Sequence, residues 1–166
     1  MNIFKSYKIY LFSCFIIVSF AHVQISHAQN SPQDYVNSHN YARFAVGVEP
    51  LYWDNQIAAY AEQYANERIG DCALQSSGSP YGENIAIGSG DFMTGEAAVQ
   101  MWVDQQSNYD YGTNTCVQGN KCGMYTQVVW RNSVHLGCAR VQCYNGSFFV
   151  ICYYDPPGNF YGEKPF

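Results

Sequence analysis

The chain has 166 residues, 17% of them aromatic and 13% charged, with 8 basic against 13 acidic residues and a net charge of −5. An acidic surface repels phosphate backbones and anionic headgroups, which argues against nucleic acid and acidic membranes as partners. Its 7 cysteines point to an oxidising compartment rather than the cytosol.

The N-terminus has the order of a secretory signal peptide over residues 1–28. Lys5 and Lys8 precede an apolar run from Ile9 to Ala21, and Ser26-His27-Ala28 supplies a small-x-small cleavage site before Gln29. The run is too short to span a bilayer comfortably. The two lysines leave with this leader and no acid does, so residues 29–166 carry a net charge of −7. That length suits one domain with one core. It contains no second stretch able to cross a membrane, so a secreted, extracellular monomer is expected.

Ser31-Pro32-Gln33-Asp34 opens a helix, with Ser31 as N-cap, Pro at the first helical position and an acid facing the dipole. This helix is predicted to reach Val46 and stop at Gly47. Asp54 caps a second helix running to Ile69-Gly70, and Thr94 opens a third through Gln105. Between them, the Gly/Ser-rich stretch from Ser76 to Gly90 reads as loop around a short strand near Ile85. A short fourth helix is predicted over Tyr125 to Trp130.

Two strands, Leu136 to Tyr144 and Ser147 to Tyr154, flank Asn145-Gly146, a strong hairpin signal. A three-residue loop with Gly146 in the left-handed region places Cys138 opposite Cys152. The run Phe148 to Tyr153 is apolar without alternation, as in a strand buried on both faces, so helices should cover the sheet on each side. Asn145-Gly146-Ser147 also matches a glycosylation sequon at Asn145, although the turn alone explains the Asn-Gly pair.

Cys14 leaves with the signal, and the six remaining cysteines read as three disulfides with fifteen conceivable pairings. Cys138 and Cys143 lie too far apart on one strand to bridge, whereas Cys116 and Cys122 enclose a five-residue loop and meet easily.

Three segments carry a family resemblance. They are Pro80-Tyr81-Gly82-Glu83-Asn84-Ile85-Ala86, Gly123-Met124-Tyr125-Thr126-Gln127-Val128-Val129-Trp130-Arg131-Asn132-Ser133, and Cys152-Tyr153-Tyr154-Asp155-Pro156-Pro157-Gly158-Asn159. With the opening Ser31 to Arg43 segment and the cysteine spacing, the chain resembles the plant pathogenesis-related 1 group of the CAP superfamily over almost all of residues 29–166. The resemblance implies an α+β fold, a three-layer α-β-α sandwich with three disulfides: Cys72–Cys143, Cys116–Cys122 and Cys138–Cys152.

The family cleft gathers two histidines and two acids that hold a divalent metal in many members. In this chain the matching positions are Gln75, Glu83, Gln105 and Met124, so one of the four usual ligands survives. Gln is a weak neutral donor and Met a soft one, which suits zinc poorly. Asp104, one residue from Gln105, is rotated about 100° away on a helix. The cleft is expected to persist as a shape with no metal and no cofactor. His39 reads as a packing, hydrogen-bonding histidine and His135 as a solvated one. All six cysteines are assigned to bridges, so no nucleophile–base pair is apparent and no catalytic residue is assigned.

Two family properties do not need the lost ligands. A sterol or other lipid is bound at an aromatic-x-aromatic loop, matched by Tyr109-Asp110-Tyr111 ahead of Cys116. A C-terminal signalling peptide, read by a receptor, begins at the proline of the last motif, here Pro156 after Asp155, giving residues 156–166. Tyr153 stands where the family has Asn, and Phe166 where its peptide ends in Tyr. The resemblance thus implies a defence protein of the plant apoplast, and the missing base and ligands make a non-enzymatic role the expectation. The alternatives are a hydrolase- or protease-like activity at the degenerate cleft and a divergent developmental role.

Overall fold

The structure, a computed structural model, describes residues 30–166, so the leader assigned to 1–28 lies outside the described residues. The first helix, α1, spans Pro32–Ala45. Its start is a capping box: Ser31 accepts from the Asp34 backbone N–H while the Asp34 carboxylate accepts from the Ser31 backbone N–H. It ends as predicted, at Val46 with Gly47 left-handed at φ 74°. A two-residue strand, β1 (Tyr52–Trp53), leads to Asp54, whose Oδ1 accepts from the N–H groups of Gln56 and Ile57 and opens α2 (Asn55–Glu67).

Next comes β2 (Gly82–Ser89), eight residues long and paired along its whole length with β6 (Ser147–Asp155). The expected strand near Ile85 is there, and the Gly/Ser composition conceals only its length. Two of its glycines are closely packed: a Cβ on Gly82 would displace the Gln127 side chain, and one on Gly88 the Met93 side chain. Thr94 caps α3 (Gly95–Val103), followed by a 3-10 turn over Asp104–Asn108 and a small hairpin of β3 (Tyr109–Asp110) and β4 (Thr115–Cys116).

The fourth helix, α4, is Gly123–Val128, two residues earlier than the predicted Tyr125 to Trp130. Two contacts set that frame. The Cys116–Cys122 disulfide fixes the residue before Gly123, and the Arg43 guanidinium takes the Val128 and Trp130 carbonyls at the other end. The strand β5 (His135–Gln142) then forms the predicted hairpin with β6. Its loop is Tyr144-Asn145-Gly146, with Gly146 at φ 82° and Cys138 opposite Cys152.

The sheet order is β1-β5-β6-β2, with β1 parallel to β5 and the other pairs antiparallel. Side chains of β6 alternate between two cores. Phe148, Val150, Cys152 and Tyr154 join Trp102, Tyr125 and Val128 under α1, α3 and α4, while Phe149, Ile151 and Tyr153 join Ile57, Ala61 and Ala65 under α2. The result is the expected α-β-α sandwich. All three predicted disulfides are formed. Among the described residues no helix is long and apolar enough to cross a membrane.

Candidate functional site

The polar cleft lies where β2, the 3-10 turn and the start of α4 converge. Glu83, Asn84, Gln105 and Met124 line a cavity of about 400 Å³, with the Cys116–Cys122 disulfide and Asn159 at its edge. Gln75 is not among them. It is exposed on the loop after Cys72, where its side-chain oxygen accepts from Arg68 at 3.1 Å. Asp104 points to solvent and accepts from Gln100 at 2.7 Å, consistent with its rotation away from the cleft.

The remaining donors are already engaged. One Glu83 carboxylate oxygen accepts from both the backbone N–H, at 3.0 Å, and the hydroxyl of Ser77. The Gln105 side-chain oxygen accepts from the Met124 N–H at 3.2 Å. Among the described residues, no three His, Cys, Asp or Glu side chains converge as a metal would require. A zinc ion wants about four oxygen, nitrogen or thiolate donors around it, and one carboxylate beside an amide and a thioether is not that set. These residues do not fit the family's divalent metal.

Behind the cleft lies a buried polar chain. The Asn84 amide donates to the Met124 carbonyl at 2.9 Å and to the Tyr154 hydroxyl oxygen at 3.0 Å. Tyr154 in turn donates to His39 Nε2, and His39 Nδ1–H donates to the Tyr35 carbonyl, both at 2.8 Å. This chain links β2, α4, β6 and α1 and fixes the cleft floor. Burial lowers the His39 pKa to about 4, with the nearby Arg43 charge acting in the same direction. Burial raises that of Tyr154 far above its ordinary range. His39 is therefore a neutral core residue, and His135 is exposed at the start of β5.

A second surface is aromatic. On the β3–β4 hairpin Tyr109 lies 6.5 Å from Tyr111 edge-on and 6.2 Å from Tyr125 of α4, centroid to centroid. The turn between the strands is tightly built. Asp110 accepts from the Gly112 N–H at 2.8 Å, and the Tyr109 hydroxyl donates to Asn114 at 2.7 Å. Hydrogen bonds from Thr113 hold the Asp110 carboxyl below its ordinary pKa. The Cys116–Cys122 disulfide ties this hairpin to α4, and the Lys164 ammonium sits 3.9 Å from the Tyr111 ring centre.

The C-terminal segment, residues 156–166, is held at both ends. Asp155 closes β6, its carbonyl accepting from the Val134 N–H, and Pro156 offers its carbonyl to Ser133 at 2.8 Å. Gly158 and Asn159 bond to Gln127, Thr126 and Gly123 of α4. Glu163 accepts from Asn114, and Pro165 from the Arg131 N–H at 2.7 Å. Phe166 then stacks on Tyr111 at 5.0 Å and 18°, and approaches Tyr109 at 6.2 Å and Tyr125 at 6.4 Å. Its composition suggests a loosely exposed tail; these hydrogen bonds, the burial of Pro165 and the Phe166 ring contacts hold it in place. A cavity of about 590 Å³ remains between this segment, the hairpin and α4, walled by Tyr109, Trp130, Pro165 and the disulfide.

Sequence reasoning passed over Arg43, Asn84, Tyr154 and Phe166 as individual actors. For Arg43 a signal existed: Tyr35, His39 and Arg43 recur every four residues, which puts a guanidinium on the buried face of α1. Tyr153, the departure from the family Asn, packs against Tyr81 and Tyr60 at 5.6 and 6.4 Å beneath α2. Asn145 is exposed in its hairpin loop and accepts from the Ser147 N–H at 3.0 Å, as the turn requires.

Comparison with known proteins places these features. Residues 36–154 match the profile of the CAP, or cysteine-rich secretory protein, family. The chain is 62% identical over 145 residues to pathogenesis-related protein 1A of Nicotiana tabacum, covering 86% of each chain. It is 58% identical to the pathogenesis-related protein PR-1 type of Sambucus nigra, covering 90% of each, and 57% identical to pathogenesis-related protein 1 of Arabidopsis thaliana, covering 84% of each. Among solved structures, Schistosoma mansoni venom allergen-like protein 4 superposes with a TM-score of 0.63 at 24% identity, over 81% of this chain and 92% of that one. Hookworm platelet inhibitor gives 0.65 at 22%, over 80% and 72%. At those identities the likeness concerns the fold.

Proposed function

Because this chain belongs to the CAP, or cysteine-rich secretory protein, family, within its plant pathogenesis-related 1 group, we propose that it is a secreted defence protein that binds a sterol or similar flat lipid without catalysis. The observation that carries this reading is the pair of Tyr109 and Tyr111 on a disulfide-clamped hairpin, backed by the buried Tyr125 of α4 and beside a cavity of ligand size. Aromatic faces hold a fused-ring ligand by apolar contact and need no metal. Support for a non-catalytic role comes from His39, whose two ring nitrogens are committed inside the core and unavailable as a base.

Release of residues 156–166 as a signalling peptide is the second reading. Its support is that this segment lies outside the sheet, contains no disulfide, and exposes residues 160–164. None of the three bridges lies within it.

The test is equilibrium binding of a sterol to residues 29–166 with a chelator present throughout. Saturable binding should weaken three- to tenfold in Tyr111→Ala, about 0.5–1.5 kcal/mol for one ring contact, and stay unchanged in Glu83→Gln. Binding that disappears with the chelator, or follows Glu83 rather than Tyr111, would refute the reading.

A further inference from the structure

The ring faces just assigned to a ligand already have an occupant. Phe166, the last residue of the chain, lies nearly parallel to Tyr111 with their centroids 5.0 Å apart, and its edge contacts Tyr109 and Tyr125. Lys164 places its ammonium 3.9 Å from the Tyr111 ring centre. The Asn114 amide holds the Glu163 carbonyl and the Arg131 N–H holds the Pro165 carbonyl, so the backbone delivers Phe166 to this position. Between these anchors and Asn159, Phe160 to Lys164 are exposed, with Tyr161 fully solvated. The arm is thus exposed over residues 160–164 and held at its end by two backbone hydrogen bonds, the buried Pro165 and the Phe166 ring.

We infer that Phe166 is an internal competitor for the aromatic site: the docked C-terminal arm and a flat apolar ligand exclude one another on Tyr109 and Tyr111. This rests on the lipid-binding reading above and adds a regulatory link to it. By linkage, if undocking the arm favours ligand by some factor, ligand favours the undocked arm by the same factor. A site open a tenth of the time would show an apparent affinity about tenfold weaker than its intrinsic one. Ligand occupancy would free residues 160–166 from their anchors, and the arm would become accessible to a protease through binding instead of through unfolding.

The experiment compares the wild-type protein and Phe166→Ala, both as residues 29–166 with disulfides intact, using the fluorescent sterol dehydroergosterol. Hydrogen exchange of residues 156–166 is followed in the wild type with and without that sterol. The inference predicts about tenfold tighter binding by Phe166→Ala and faster exchange of the wild-type arm when sterol is bound. Phe166→Tyr, which keeps the ring, should behave like the wild type. Equal affinity in wild type and Phe166→Ala, or exchange of the arm that is unchanged or slowed by sterol, would overturn the competition and leave the lipid reading standing. Absence of binding even in Phe166→Ala, where the tyrosine faces are bare, would overturn both.

Discussion

His39 occupies the centre of the core with its two nitrogens used by Tyr35 and Tyr154, and its proton affinity follows from that position. The folded pKa is about 4 against an ordinary 6.5. Between those values the unfolded chain takes up a proton that the folded protein refuses, so stability is fully present above about pH 6.5 and falls as pH drops toward about 4. The loss attributable to this residue by pH 5 is on the order of 2 kcal/mol. Urea denaturation at pH 7.5 and pH 5.0 should show it, and His39→Gln should flatten most of that difference. An equal drop in both proteins would mean that His39 is not its source. The packing role of His39 was legible because a lone histidine on a helix brings no catalytic partner. The chain through Tyr154 and Asn84 was not, because it joins residues 39, 84 and 154, which only the folded sheet brings together.

At the level of elements, Arg43 joins α1 to the end of α4. It is fully buried, and its guanidinium donates to the carbonyls of Glu49, Val128, Trp130 and Ser133 at 2.7 to 3.0 Å. The Val128 carbonyl is the last of α4, where a cation is also favoured by the helix dipole, and the Trp130 carbonyl lies just beyond it. Burial still lowers its pKa to about 10, which leaves it charged at neutral pH. Arg43→Met keeps the stem and leaves the carbonyls without this partner, at about 1–3 kcal/mol for each that stays dry. We expect a loss of at least about 3 kcal/mol and a fall in melting temperature of roughly 10 °C. A fall of only a degree or two would show that water replaces the guanidinium. The caps at Ser31, Asp54 and Thr94 were plain in the sequence because each acts within four residues. The start of α4 and the length of β2 were not, since the loop closed by Cys116–Cys122, the contacts of Arg43 and the partner strand β6 decide them.

For the whole molecule, the two-sided burial of β6 was visible in its unbroken apolar run, and it dictated helices on both faces. In the folded cleft Glu83 accepts from Ser77 and Gln105 from Met124, pairings that only the folded chain shows. What composition could not convey was the place of the C-terminal arm, because Pro- and Gly-rich segments read as exposed and only the three-dimensional neighbourhood of Phe166 shows its docking. The molecule thus presents two candidate surfaces on either side of the Cys116–Cys122 disulfide, a polar cleft and an aromatic face.

The central claim is that the aromatic face is the working one. Its most direct test is to titrate isotope-labelled protein with sterol in the presence of chelator and map the shifted resonances by nuclear magnetic resonance. The account predicts saturable shifts centred on Tyr109, Tyr111, Tyr125 and Phe166, with Glu83, Gln105 and Met124 unmoved. Shifts centred on Glu83, Gln105 and Met124, with the tyrosines silent, would contradict it.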